Sequence, residues 1–358
     1  LQECFDIFAH IPKCVNDLVA LRRITHEVLV DYAQDNVAYV ELRTGPKVLL
    51  RDHHHRVGDD RQQKQKKQYY CTKKEYIETI INIMQEFETK ERERFQHELL
   101  QKNDDENGEC VVRLPLIPRL IISVDRSGTL HQANENIDLA IEMFRQSDHG
   151  SKIIVGVELG GNPTRNDFRD FEPAFEIARR EGLLPIAIHC GEVPMGLNEF
   201  EKDPVLLKAY EEAVSIIEFK PDRLGHALLF SDSLMETLLQ QQNPSIPIEC
   251  CPTSNVMTLE LACRHGGNLI DGTKLHPQLG KWLKAGYPIS INTDDSGLFC
   301  TDQTRELLLV AKAYGLERVE LSEIVLSSVE HIFDPRGDTK ERLRMDLRRR
   351  IDELMATT

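Results

Sequence analysis

Several short apolar runs in this chain end in residues able to do chemistry. His189, Cys190 and Glu192 stand together in HCGE, His226 closes RLGHA, and Asp294 and Asp295 are adjacent in NTDDSG. Two imidazoles and a carboxylate are what a borderline divalent cation, zinc above all, takes as ligands. A further carboxyl beside them is what a hydrolase uses to move a proton. Each residue alone has a plainer reading. A histidine at a strand end is more often a hydrogen-bonded cap, and Asp-Asp before Ser-Gly is common turn or N-cap chemistry. Together with the run that ends in GVELGGNP, four such ends in one chain favour a shared site. Cys190 does not fit a phosphatase-type nucleophile, which would want an arginine about six residues on, where Gly196 stands. It points to the opposite side of its strand from His189, into packing.

The elements that must position these residues follow from hydrophobic patterning. Apolar runs fall at 38–42, 116–124, 153–159, 185–188, 223–225, 246–250 and 288–291. Most are separated by stretches of helical periodicity, such as 168–181, where Phe171, Phe175 and Ala178 recur on one face and Gly182 supplies a stop. Strands alternating with helices predict parallel pairing and an α/β fold. In a parallel barrel the C-terminal strand ends share one face, where active sites are assembled. Seven strands are one short of an eight-stranded barrel.

Composition bounds the function. The chain has 358 residues, 41% hydrophobic, and a net charge of −15, which argues against a general nucleic-acid binder but not against a small anionic substrate in a local basic pocket. Nine cysteines without a CxxC pair indicate free thiols in a reducing compartment, and a cytoplasmic location is expected. No apolar stretch is long enough to span a membrane. Residues 51–74 hold eight Lys or Arg against three Asp, and residues 88–109 are almost wholly polar. Both resemble solvated insertions; RNA binding by the basic one is the weaker reading. Thr72 and Glu75 form a capping box that predicts a helix over 75–87.

IAIHCGEVP, DRLGHA, IPIECCPTSNV and ISINTDDSGLF resemble, in order and spacing, the strand-end motifs of the adenosine/AMP deaminase family. The likeness is closer to its adenosine deaminase-like branch, which hydrolyses N6-methyl-AMP and related monophosphates. LQECFDIF, YVELRTGPK, TKKEYIETI, LIISVDRSG and GVELGGNP extend it over nearly the whole chain. The resemblance implies a single (β/α)8 TIM-type barrel domain over 1–358, with one zinc per subunit, interrupted by the two polar insertions. It implies that His189 and Asp294 ligate zinc and that Glu192 protonates purine N1. His226 would orient the attacking water and help deprotonate it. Asp295 would bond purine N7 and Gly161 would present its N–H to N3. Thr44, Gly45, Pro46 and Lys47 would line the nucleotide side, with Asp125 nearby. A monomer with a small purine-nucleotide substrate is expected, with neither nucleic acid nor membrane as partner.

The chain departs from the family pattern at its start. The first strand of the family carries a His-x-His motif with two more zinc ligands. No such motif precedes the first apolar run, so the expectation is an N-terminally truncated barrel lacking that strand. His53 and His55 have the spacing but lie in the charged insertion, without an apolar strand before them. Ala227 stands where the family usually has glycine, and Pro12 where the branch tends to have histidine. The leading expectation is zinc-dependent deamination of an N6-substituted AMP to IMP. Alternatives are deamination of the nucleoside adenosine, or an impaired nucleotide-binding relative. A 5′-phosphate would call on Lys47, Lys73 or Lys74.

Overall fold

The computed structural model describes residues 6–7, 10–51, 70–104, 113–146, 153–240, 245–263 and 266–356. The chain divides into two compact units, one of residues 1–123 with 138–155 and one of 124–137 with 156–358.

In unit one, helix α1 (Leu18–Gln34) opens on Asp17, whose side chain accepts from the Ala20 N–H at 2.7 Å. It buries Leu21, Leu29 and Ala33, the stripe expected of an amphipathic helix, and packs on α2 (Lys73–Asp104). The capping box is formed as read. Thr72 N–H donates to Glu75 at 2.7 Å and Glu75 N–H to the Thr72 hydroxyl at 3.1 Å.

The helix does not stop at 87, however. It continues through the polar stretch to Asp104. Ion pairs replace apolar contacts as its reason to persist: Glu88 with Arg92, and Arg94 with both Glu91 and Glu98, at the i,i+3 and i,i+4 spacings that face one another on a helix. Arg119, a buried residue of strand β2 (Ile117–Asp125), donates to Glu88 at 2.8 Å and ties the polar segment to the sheet. Strand β1 (Tyr39–Thr44) pairs parallel with β2, Tyr39 opposite Ile117 and Thr44 opposite Ile122.

Strand β3 (Ile154–Gly160) is buried throughout, as a strand covered on both faces must be. From it unit two continues with β4 (Ile186–Cys190), β5 (Arg223–His226), β6 (Ile248–Cys250) and β7 (Ile289–Ile291). Each pairs parallel with its predecessor in the chain. Helices separate them, so the β/α alternation and the TIM-type class read from sequence are those of the molecule. All seven strands expected are present, and no eighth occurs among the described residues. The stretch 168–181 is not one helix but a 3₁₀ turn over Phe168–Asp170 followed by α3 (Glu172–Glu181). Pro173 starts a new helix well and continues an old one badly. Gly182, at φ 62°, ends it in the left-handed conformation. No described helix is long and apolar enough to cross a membrane. His53 and His55 lie outside the described residues.

Candidate active site

Register sets the site. Cys190 is paired with His226, so the last residues of β4 and β5 finish level, and Cys250 with Ile291 does the same for β6 and β7. The rings of His189 and His226 stand 5.1 Å apart, centroid to centroid. His226 Nε2 lies 3.7 Å from Glu192 Oε1 and 3.9 Å from Asp294 Oδ2. Four residues singled out from sequence, His189, Glu192, His226 and Asp294, therefore meet in unit two, with Asp295 next in the chain. A second Glu192 oxygen, Oε2, is buried without a hydrogen-bond partner.

The backbone here is held in an uncommon conformation. His226, Ala227 and Asp294 have φ of 61°, 45° and 55°, a region that costs an L-residue about 1–2 kcal/mol. Such outliers persist where surrounding structure over-determines them. Glycines make room beside the side chains. A Cβ on Gly161, at φ 90°, would come within 2.5 Å of Asp125 Oδ1, which brings these two expected substrate-side residues together. One on Gly225 would meet the His189 ring at 3.1 Å.

Hydrogen bonds orient the polar groups. His189 Nδ1 is 3.1 Å from the Leu159 carbonyl, which can only accept. The proton is thereby on Nδ1 and the lone pair on Nε2, the arrangement of a neutral imidazole ligand steered by its second nitrogen. Arg126, fully buried, donates to the His189 carbonyl at 2.8 Å and pairs with Glu212 of α4 (Pro204–Phe219), fixing the end of β4. The Ser254 hydroxyl donates to Asp294 Oδ2 at 2.7 Å.

Burial disfavours the His226 cation, but Glu192 and Asp294 facing it outweigh burial and raise its pKa. Partial burial and the adjoining Asp294 carboxylate raise the Asp295 pKa, although the residue keeps exposed surface. Burial raises the Cys190 thiol well above its ordinary value, which suits an inert packing residue.

The donors present fit a borderline divalent cation. His189 keeps an Nε2 lone pair, Asp294 presents a carboxylate oriented by Ser254, and Glu192 has a buried oxygen in want of a partner. Independently, the ligand atoms of His226, Cys251 and Asp294 all lie within 4.8 Å of one another. Asp294 is common to both groupings.

Thr44, Gly45, Pro46 and Lys47 follow or end β1 in unit one. The Thr44 hydroxyl is 2.8 Å from that of Tyr76, Pro46 is buried and Lys47 is exposed. Lys74 is already held by Glu142 at 2.9 Å and Gln146 at 2.8 Å. Sequence reasoning passed over Arg126, Ser254, Asn255 and His276, and also Glu158, whose Oε2 lies 3.7 Å from His189 Nδ1. Ser254 and Asn255 sit inside the quoted CPTSNV motif, and Glu158 is an acid inside an apolar run, a signal that could have flagged it.

A family model described as adenosine deaminase matches residues 1–350. The chain belongs to the adenosine deaminase family. It is 30% identical to an Arabidopsis thaliana protein named N6-mAMP deaminase, over 96% of this chain and 82% of that one. It is 28% identical to the Bos taurus N6-methyl-AMP deaminase, over 99% and 82%. A solved Arabidopsis structure, ADAL complexed with IMP, superposes with a TM-score of 0.69 at 28% identity, covering 98% of this chain and 83% of that chain. The family is metal-dependent.

Proposed function

We propose that this chain is a hydrolytic deaminase that converts N6-methyl-AMP to IMP and methylamine. The observation that carries the proposal is the meeting of His189, Glu192, His226 and Asp294 at neighbouring strand ends. Relatives named for N6-methyl-AMP, and a related structure holding IMP, support a nucleotide rather than a nucleoside.

His189 and Asp294 would hold one zinc ion, whose Lewis acidity makes water a strong nucleophile at neutral pH. The remaining chemistry belongs to the protein. Addition of water at C6 breaks the aromaticity of the ring unless N1 gains a proton, and Glu192 delivers it. His226 holds the attacking oxygen from the opposite side. Asp295, next in the chain to Asp294, engages N7. Gly161 offers its N–H to N3 and, with Asp125 against its Cα, has no room for a side chain. Arg126 keeps the β4 end, and with it His189, in register.

The test is amine release by the zinc-loaded protein. Methylamine should form from N6-methyl-AMP faster than ammonia forms from adenosine. Equal or better turnover of adenosine would overturn the nucleotide assignment.

A further inference from the structure

Behind His226, away from Glu192 and Asp294, runs a buried chain of three side chains. His226 Nδ1 is 2.9 Å from the Asn255 amide, on helix α5 (Pro252–Thr258), and the other amide atom is 2.9 Å from His276 Nε2. At the far end, His276 Nδ1 receives the backbone N–H groups of Gln278 at 3.2 Å and Leu279 at 2.9 Å. These open α6 (Leu279–Ala285), whose N-cap Gln278 makes no side-chain cap of its own. All three side chains are buried.

Donor and acceptor counting determines where the protons sit. A backbone N–H can only donate, so His276 Nδ1 carries a lone pair. A neutral imidazole has one donor and one acceptor nitrogen, which puts the His276 proton on Nε2. The ring is neutral, since burial pushes its pKa down to about 3. Its Nε2–H needs an acceptor on Asn255, yet the atom placed against it is the amide nitrogen, another donor. Amide oxygen and nitrogen are interchanged by a half-turn of the group. With Asn255 turned, its oxygen accepts from His276 and its nitrogen donates to His226 Nδ1. The His226 proton must then be on Nε2, the nitrogen that faces Glu192 and Asp294.

We infer that His276, acting through Asn255, fixes His226 as its Nε2–H tautomer, so that His226 donates a hydrogen bond into the site instead of accepting a proton there. Doubly protonated His226 fails the same count. Its Nδ1–H would reclaim the Asn255 oxygen and leave donor facing donor at His276.

The consequence rests on the proposed deaminase reaction. The water O–H bond breaks as C6–O forms, and its proton passes to Glu192, which hands it to N1. The second water proton leaves on the amine nitrogen as the C6–N bond breaks and C6=O forms. Asn255 and His276 are positioning residues in this scheme.

The experiment is a long-range ¹H–¹⁵N correlation spectrum of the purified protein labelled with ¹⁵N-histidine. Spectra of His226→Gln and His276→Gln assign the two rings by loss of signal. Both rings should show a protonated Nε2 and an unprotonated Nδ1. A protonated Nδ1 on His226 would overturn the inference, and this wild-type spectrum decides whether or not any variant folds. Asn255→Asp offers only acceptors, so it should move the His226 proton to Nδ1. It should also lower kcat by about 10²–10⁴-fold, as a wrong tautomer does at a catalytic histidine, with KM little changed. An unchanged His226 pattern in Asn255→Asp would equally overturn it. The spectra need no substrate, so failure of the deaminase reading would leave the tautomer assignment intact.

Discussion

Strand β5 is four residues long and carries a buried charged or ionisable side chain at each end, Arg223 and His226. Arg223 is engaged on three sides. It pairs with Glu249, lies 3.9 Å over the Phe333 ring, and donates to the His331 carbonyl at 2.8 Å. His226 faces two carboxylates at 3.7 and 3.9 Å, beyond good hydrogen-bond distance, with Glu192 Oε2 unpartnered and the backbone in the left-handed region. At the first end, charges are spent on one another and stabilise the fold. At the second they are kept apart and available, which stabilises nothing until a ligand arrives. Parallel barrels separate stability and chemistry in this way between the N- and C-terminal ends of their strands.

The comparison is open to attack at either end. The largest expected effect is Glu192→Gln, which should lower turnover of N6-methyl-AMP by about 10²–10⁴-fold while urea unfolding shows no loss of stability. Retained turnover would remove Glu192 from the chemistry. Arg223→Met should do the reverse. Leaving Glu249 buried without its cation costs about 3–5 kcal/mol in urea unfolding, with kcat per folded molecule changed less than about tenfold. A stability loss under about 1 kcal/mol would show that the pair is not what holds that end.

The acid side of the stability profile gives a third measurement. Burial, with Arg223 and Lys340 close by, lowers the His331 pKa from 6.5 to about 4. The unfolded chain therefore binds this proton first as pH falls. The contribution is fully present above pH 6.5, declines from there to about 4, and is exhausted below. His331→Gln should flatten part of that decline, and an unchanged slope would discount His331. The smallest effect expected is at Ala227. Glycine there would relieve the left-handed strain and raise stability by about 0.5–1 kcal/mol. Lower stability in Ala227→Gly would mean that the methyl group's packing matters more than its backbone angle.

Seven strands could be read from apolar runs because most are buried and closed by a change in residue type, as at His189 and Asp294, while β1 is half-buried along its length. The polar helix beyond residue 87 could not. Its stability comes from pairs such as Glu88 with Arg119, which are 31 positions apart and carry no local periodicity. The site shows the same division. Residues at strand ends announced themselves by chemistry and order. Asn255 and His276 did not, since one lies inside a helix, the other precedes one, and only folding brings them behind His226. Thr44 to Lys47 were named through family likeness, and their own surroundings in unit one are a hydroxyl pair and an exposed lysine.

Gly225 lies beneath the His189 ring, where even a methyl group would press at 3.1 Å. The two positions are thus a single unit for redesign. A change at 189 to a smaller ligand would open a gap over a residue with no side chain to fill it, and a change at 225 would tilt the imidazole before it touched anything else. Attempts to re-specify the metal from this strand end should therefore vary both residues in the same library.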